Sequence, residues 1–214
     1  MPPIFCTATF THGNDEGFDY TRSGNPNFKI LESVLKSLEN CQYGTIFASG
    51  VSAITAIASA LQKGDTILCE DNLYGCTVRL FEKVFKRFGL NIIWIDFTDP
   101  NNLSKIKRIN PSLIWIESPT NPLLKIIDIE AICNESTRHS IPVVVDNTFA
   151  TPWSCKPADM GFDIVLHSGT KYLGGHADLT AGFAAGRKDL IAQVFHHKVY
   201  FGGAADPQMC YLLE

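Results

Sequence analysis

The chain has 214 residues, 45% hydrophobic and 19% charged, with a formal net charge of −4. That is enough for one substantial soluble core, and the absence of any dense Lys/Arg tract removes the electrostatic footprint of a nucleic-acid binder. The seven cysteines form no CxxC pair, so neither a disulfide framework nor a metal site is expected. No apolar run reaches the ~20 residues that span a bilayer, and Met1-Pro-Pro-Ile-Phe5 lacks signal-peptide order, which makes the cytoplasm the expected location.

Taken in chain order, residues 27–40 carry Ile30, Leu31, Val34, Leu35 and Leu38 at the spacing of one helix face. A strand is then expected over 45–48 and a helix over 52–61, followed by a strand over 66–69 and a helix over 77–88. The alternation continues with a strand over 91–95, a helix over 102–109, a strand over 113–116 and a helix over 129–139. Further strands are expected over 143–145, 164–166 and 181–185. Apolar strands separated by helices predict an α/β protein, a mostly parallel mixed sheet with helices on both faces. No internal repeat and no Gly/Ser linker points to a second complete domain.

In such sheets ligands gather where the strands end, and these loops hold the unusual residues. Ser49-Gly50-Val51 follows the first strand, Tyr74 lies beyond the second, and Glu117-Ser-Pro-Thr-Asn121-Pro122 follows the fourth. Asp146-Asn-Thr148 follows the fifth, and His167-Ser-Gly-Thr-Lys171 the sixth. An acid followed by a lysine in this layout suits pyridoxal phosphate. A lysine amine can hold that cofactor as a Schiff base, and an acid can keep its pyridine nitrogen protonated. The pair alone fits equally a strand-end acid and a solvated surface lysine.

The motifs together break that tie. Tyr20-Thr-Arg22-Ser-Gly-Asn-Pro26, Ala48-Ser-Gly50, Leu73-Tyr-Gly75, Glu117-Ser-Pro-Thr-Asn-Pro122, Val145-Asp-Asn-Thr148 and His167-Ser-Gly-Thr-Lys-Tyr-Leu-Gly-Gly-His176 stand in one order. That order resembles the Cys/Met metabolism (transsulfuration) family of PLP-dependent enzymes, which includes cystathionine γ-synthase, the cystathionine lyases and methionine γ-lyase. The resemblance implies PLP-dependent transferase fold type I, with the large domain of the aspartate aminotransferase kind over residues 27–214. It also implies an N-terminal arm over residues 1–26 that contacts a neighbouring subunit. Asn27, Val51 and Gly169 depart from the family's usual Thr, Met, and Ala or Cys. A C-terminal domain bearing the arginine for the substrate carboxylate is expected in the family but not within these residues, so the chain is expected to be a fragment.

Site roles follow from the resemblance. Ser49, Gly50 and Val51 at a helix N-terminus, with the hydroxyls of Ser168 and Thr170, would bind the phosphate. Tyr74 would cover the cofactor ring and move protons near the leaving group. Asn121 would bond the phenolic oxygen, Asp146 would hold the pyridine nitrogen protonated, and Lys171 would attach the cofactor and move the α-proton. Glu117 would stand behind these groups. Tyr20 and Arg22 would reach a neighbour's phosphate, which implies a homodimer or homotetramer with shared active sites. Residues 117–130 and 195–203 are most similar to cystathionine γ-synthases, which join an acylated homoserine to cysteine. Cys76 resembles methionine γ-lyases, and residues 17–26 are shared with cystathionine γ-lyase. A reading from another class is a non-catalytic remnant that keeps the fold.

Overall fold

The computed structural model describes residues 2–214. Seven strands form one sheet: β1 (Tyr43–Phe47), β2 (Thr66–Glu70), β3 (Asn91–Ile95), β4 (Leu113–Glu117), β5 (Val143–Asp146), β6 (Ile164–Ser168) and β7 (Gly182–Gly186). Their order is β1-β7-β6-β5-β4-β2-β3. β2 pairs in parallel with β3 and β4, and the parallel ladder continues from β4 to β5 and from β5 to β6. Only β7 runs the other way, antiparallel to both β6 and β1. The expected mostly parallel mixed sheet is therefore present. Several strands run past the expected ends to include Glu70, Glu117, Asp146 and His167-Ser168, polar residues that no apolar run could reveal.

The helices are α1 (Pro26–Leu38), α2 (Gly50–Ser59), α3 (Gly75–Leu80), α4 (Ser104–Ile109), α5 (Ile129–Arg138), α6 (Thr151–Ser154), α7 (Lys188–Phe201) and α8 (Pro207–Leu213). The single helix expected over 77–88 is α3 followed by a π-helical turn at Phe81–Phe85. That turn brings Phe81 edge-on to Trp115, with ring centroids 5.2 Å apart.

Alternate strand residues face opposite sides, and each side has its cover. Phe47, Ile67, Cys69, Trp115, Val144, Leu166 and Ala184 pack under α2, Phe81 and the Ile191–Val194 stripe of α7. On the other side Leu68, Ile114, Ile116, Val143, Val145 and Val165 meet Ile106 of α4 and Ile132 of α5. Ile46, Phe183 and Ala185 on that side meet Phe28, Leu31 and Leu35 of α1 and Met209 and Leu213 of α8. Each fully buried Ile or Leu contributes roughly 2 kcal/mol.

The arm is tied to this body. Asn25 caps α1 by accepting from Asn27 N–H at 2.9 Å and donates to Phe5 O at 3.0 Å. Asn27, one of the departures from the family pattern, is buried. It accepts from Phe5 N–H at 2.9 Å and donates to Pro3 O at 3.0 Å.

The α7 helix was not among the expected elements because its buried stripe includes a lysine. Lys198 is 2% exposed. Its ammonium donates to Thr45 Oγ1 at 2.6 Å, lies 3.8 Å from Glu32 Oε1 and sits 4.6 Å from the Phe195 ring centroid. Burial pushes its pKa down, opposed by Glu32. This side chain pins α7 to β1 and α1. Lys198→Ala should lower the unfolding free energy by about 3 kcal/mol. Lys198→Met keeps the aliphatic length and removes a desolvated charge, so it should stay within about 1 kcal/mol of the unaltered protein in urea unfolding followed by circular dichroism.

Candidate active site

A cavity of about 830 Å³ opens at the C-terminal ends of β4, β5 and β6, on the side of the sheet that α2 covers. Ten of the twelve residues singled out in the sequence line it: Ser49, Gly50, Val51, Tyr74, Asn121, Asp146, Ser168, Thr170 and Lys171, and also Glu117, which was expected to stand behind them. Lys171 is the only cation in this lining.

Ser49 is extended and its hydroxyl accepts from Ser52 N–H at 3.1 Å, which caps α2. The N–H groups of Gly50 and Val51 precede the first helical hydrogen bond and remain available at the positive end of the helix dipole. Gly50 lets the helix start pack against the end of β6, since a Cβ there would stand 2.9 Å from Ser168 Cβ. Gly182 brings β7 up beneath the same turn. A Cβ at that position would lie 2.2 Å from Ser49 O.

Asp146 is buried at the end of β5. Its Oδ1 accepts from Thr148 N–H at 3.1 Å and from Thr148 Oγ1–H at 2.5 Å. The Thr148 oxygen in turn accepts from Ser168 N–H at 2.8 Å, so one hydroxyl joins the acid to the loop that leads to Lys171. Burial raises the Asp146 pKa, while the two Thr148 bonds and His167 oppose that shift. Asp146 Oδ2 has no hydrogen-bond partner among the described residues, and Asp146 lines the cavity. Thr148 was not among the sequence's site residues. Its signal was the Asp-x-Thr spacing, which lets a side chain bond its own backbone two residues on.

Of the two hydroxyls expected near a phosphate, Thr170 Oγ1 is engaged by Ala181, donating to its carbonyl at 3.3 Å and accepting from its N–H at 3.0 Å. The Ser168 hydroxyl makes no protein hydrogen bond among the described residues. Tyr74 N–H donates to Glu117 Oε2 at 2.8 Å. Thr120 Oγ1–H donates to Asn72 Oδ1 at 2.6 Å, which clips the Asn121 loop beside Tyr74. Beneath the sheet ends, buried Glu39 accepts from Asn147 Nδ2 at 2.9 Å and bonds His167 Nε2, a link between α1, β5 and β6 that sequence gave no sign of.

Tyr20 and Arg22 do not line this cavity. Both are exposed, and the Arg22 guanidinium lies 5.3 Å from the Tyr20 ring centroid.

The residues present fit pyridoxal phosphate. Free N–H groups at the start of a ten-residue helix suit a phosphate. An open oxygen on a buried carboxylate suits a protonated ring nitrogen, and Lys171 supplies the amine.

The family model described as Cys/Met metabolism PLP-dependent enzyme matches residues 1–214. A probable cystathionine γ-synthase of Herpetosiphon aurantiacus is 42% identical over 183 residues, 84% of this chain and 57% of the relative. A cystathionine β-lyase of Staphylococcus haemolyticus is 42% identical over 198 residues, 91% of this chain and 51% of the relative. The crystal structure of a cystathionine γ-synthase from Xanthomonas oryzae pv. oryzae, in complex with cystathionine, superposes with a TM-score of 0.94 at 37% identity. That likeness covers 99% of this chain and 56% of the other. The chain thus spans little more than half the length of the relatives it matches.

Gly182→Ala tests the cradle. The new methyl would collide with backbone, so the Ser49–Gly50 turn must shift. Far-UV circular dichroism should keep its native form while pyridoxal phosphate, titrated by absorbance, binds about tenfold or more weakly, a loss of about 1.4 kcal/mol. Unchanged cofactor affinity would show that the turn is not part of the binding site.

Proposed function

The chain belongs to the Cys/Met metabolism PLP-dependent enzymes, and from that premise we propose that it carries the cofactor site of a cystathionine γ-synthase, which replaces the acyl group of an acylated homoserine with the sulfur of cysteine. The observation that carries this reading is the convergence of the Ser49–Val51 turn, Asp146 and Lys171 on one cavity. The matches to γ-synthases support the choice of reaction.

Pyridoxal phosphate, when bound, supplies an electron sink for negative charge at the substrate's α-carbon. Gly50 and Val51 N–H groups and the Ser168 hydroxyl hold the phosphate. Asp146 keeps the pyridine nitrogen protonated, with Thr148 fixing the carboxylate's orientation. Asn121 orients the phenolic oxygen. Lys171 anchors the cofactor and, once released, its amine moves the α-proton. Tyr74 covers the ring and exchanges a proton near the leaving group. Tyr20 and Arg22, exposed and outside their own chain's cavity, serve the phosphate of a second copy in a homodimer or homotetramer.

A second reading, methionine γ-lyase, is favoured by one cluster. Arg79 Nη2–H donates to Cys76 Sγ at 2.9 Å. The Tyr74 hydroxyl pulls the thiol pKa down, burial opposes it, and Arg79 adds to the lowering. That places a thiol of lowered pKa beside Tyr74.

Borohydride reduction of the cofactor-loaded protein should fix the label on Lys171 and on no other lysine. Asp146→Asn should keep that labelling while slowing exchange of the substrate α-proton by about a hundredfold or more; equal exchange would remove Asp146 from its role. Products separate the two readings. Cystathionine formed from acylated homoserine and cysteine supports the γ-synthase, whereas methanethiol released from methionine as the dominant product overturns it.

Mixing Arg22→Ala with Lys171→Ala chains tests the shared site. About half of the native binding competence should return in mixed dimers, because one site of each then holds both intact groups. No recovery in mixed dimers confirmed by mass measurement places Arg22 on its own chain's business alone.

A further inference from the structure

Glu117 is the one ionisable group of the cavity lining that the roles above leave unused, apart from Tyr172 at the rim. It closes β4 directly opposite Asp146 on β5 in the parallel ladder, and both side chains are buried. Two neighbouring carboxylates cannot both carry charge in such a site without a cation between them. Their surroundings assign the charge. Asp146 Oδ1 receives two donors from Thr148, and His167 on β6 adds a favourable field. Glu117 Oε2 receives one donor, the Tyr74 amide at 2.8 Å, and no side-chain donor bonds it among the described residues. The other titratable groups of the cavity lining are Tyr74 after β2, Asp146 on β5, and Lys171 and Tyr172 after β6; of these, Asp146 and the Tyr74 amide act on Glu117. The single cation, Lys171, is committed to the cofactor.

Resting on the cofactor-site reading, we propose that Glu117 is a positioning residue held as a neutral carboxylic acid: it anchors Tyr74 through the backbone amide and leaves Asp146 as the only negative charge at the cavity floor. The electrostatics agree with this geometry, since burial and then Asp146 push the Glu117 pKa up to about 9, opposed by the Tyr74 amide. A deprotonated Glu117 would compete with Asp146 for the pyridine nitrogen's proton. A neutral one cannot.

The sign of the pH dependence follows. The folded-state pKa lies above the ordinary value of 4.5, so between pH 4.5 and about 9 the folded chain holds one proton more than the unfolded chain. Stability is therefore progressively lost as pH rises through that window. Glu117→Gln, neutral at every pH and still able to accept from Tyr74, should remove that dependence.

The experiment compares unaltered protein, Glu117→Gln and Glu117→Leu. At pH 7, the infrared difference spectrum between unaltered protein and Glu117→Gln should contain the carbonyl stretch of a protonated acid. The melting temperature of Glu117→Gln relative to unaltered protein should climb as pH rises. Glu117→Gln should bind pyridoxal phosphate within about threefold of the unaltered protein, and Glu117→Leu about tenfold or more weakly, because the Tyr74 amide loses its acceptor. Only carboxylate bands at position 117, or a Gln variant as weak as the Leu variant, overturns the proposal. If Glu117→Leu fails to fold, the infrared band and the Gln affinity still decide. Failure of the underlying site reading shows differently, as unaltered protein that takes up no cofactor on Lys171.

Discussion

A carboxylate buried at the end of a parallel strand is tolerated only where donors meet it, and at Asp146 a single residue two positions on supplies both. Thr148 gives the carboxylate its backbone N–H and its hydroxyl, and the same hydroxyl oxygen receives Ser168 N–H. One short bridge thus fixes the direction of the acid and the start of the loop that carries Lys171. Asp146 lines the cavity with one oxygen held by Thr148 and the other unbonded among the described residues.

The remainder of the cavity depends on close approach of backbone to backbone. Gly50 lets α2 begin against Ser168, and Gly182 lets β7 pass directly beneath the Ser49 carbonyl. With side chains at these two places the helix start would stand off from the sheet, and its free N–H groups would no longer look into the space that Asp146 and Lys171 share. Acid, amine and helix dipole meet in one place because β7 is reversed and rich in small residues.

Much of this was legible in the chain itself. Apolar runs such as Ile92-Ile93 and Val143-Val144-Val145 marked the strands, and the strand-end strings marked the cavity lining, because in a parallel sheet those are the places where polar residues have a reason to stand. What stayed hidden was hidden for identifiable reasons. Lys198 interrupts the apolar stripe of α7, so periodicity fails where a lysine is buried against Phe195 and Thr45. Glu39, Asn147 and His167 meet across more than a hundred residues of sequence. Glu117 was noticed but set behind the other groups, since only the β4–β5 register places it opposite Asp146. Tyr20 and Arg22 stood out by resemblance, and a single chain leaves them facing outward.

The position of β1 has a consequence for how the molecule comes into being. This strand hydrogen-bonds to β7 and to no other strand, although more than a hundred residues separate the two in the chain. Closing so long a loop costs entropy that local contacts cannot offset. The ladder from β2 to β6 can grow from neighbours as the chain lengthens, whereas β1 waits with its edge unpaired until residues 182–186 arrive. The turn at Ser49–Gly50 is therefore among the last parts of the sheet to be set. During synthesis the nascent chain would hold a nearly finished floor of acids before it owns the cradle above them.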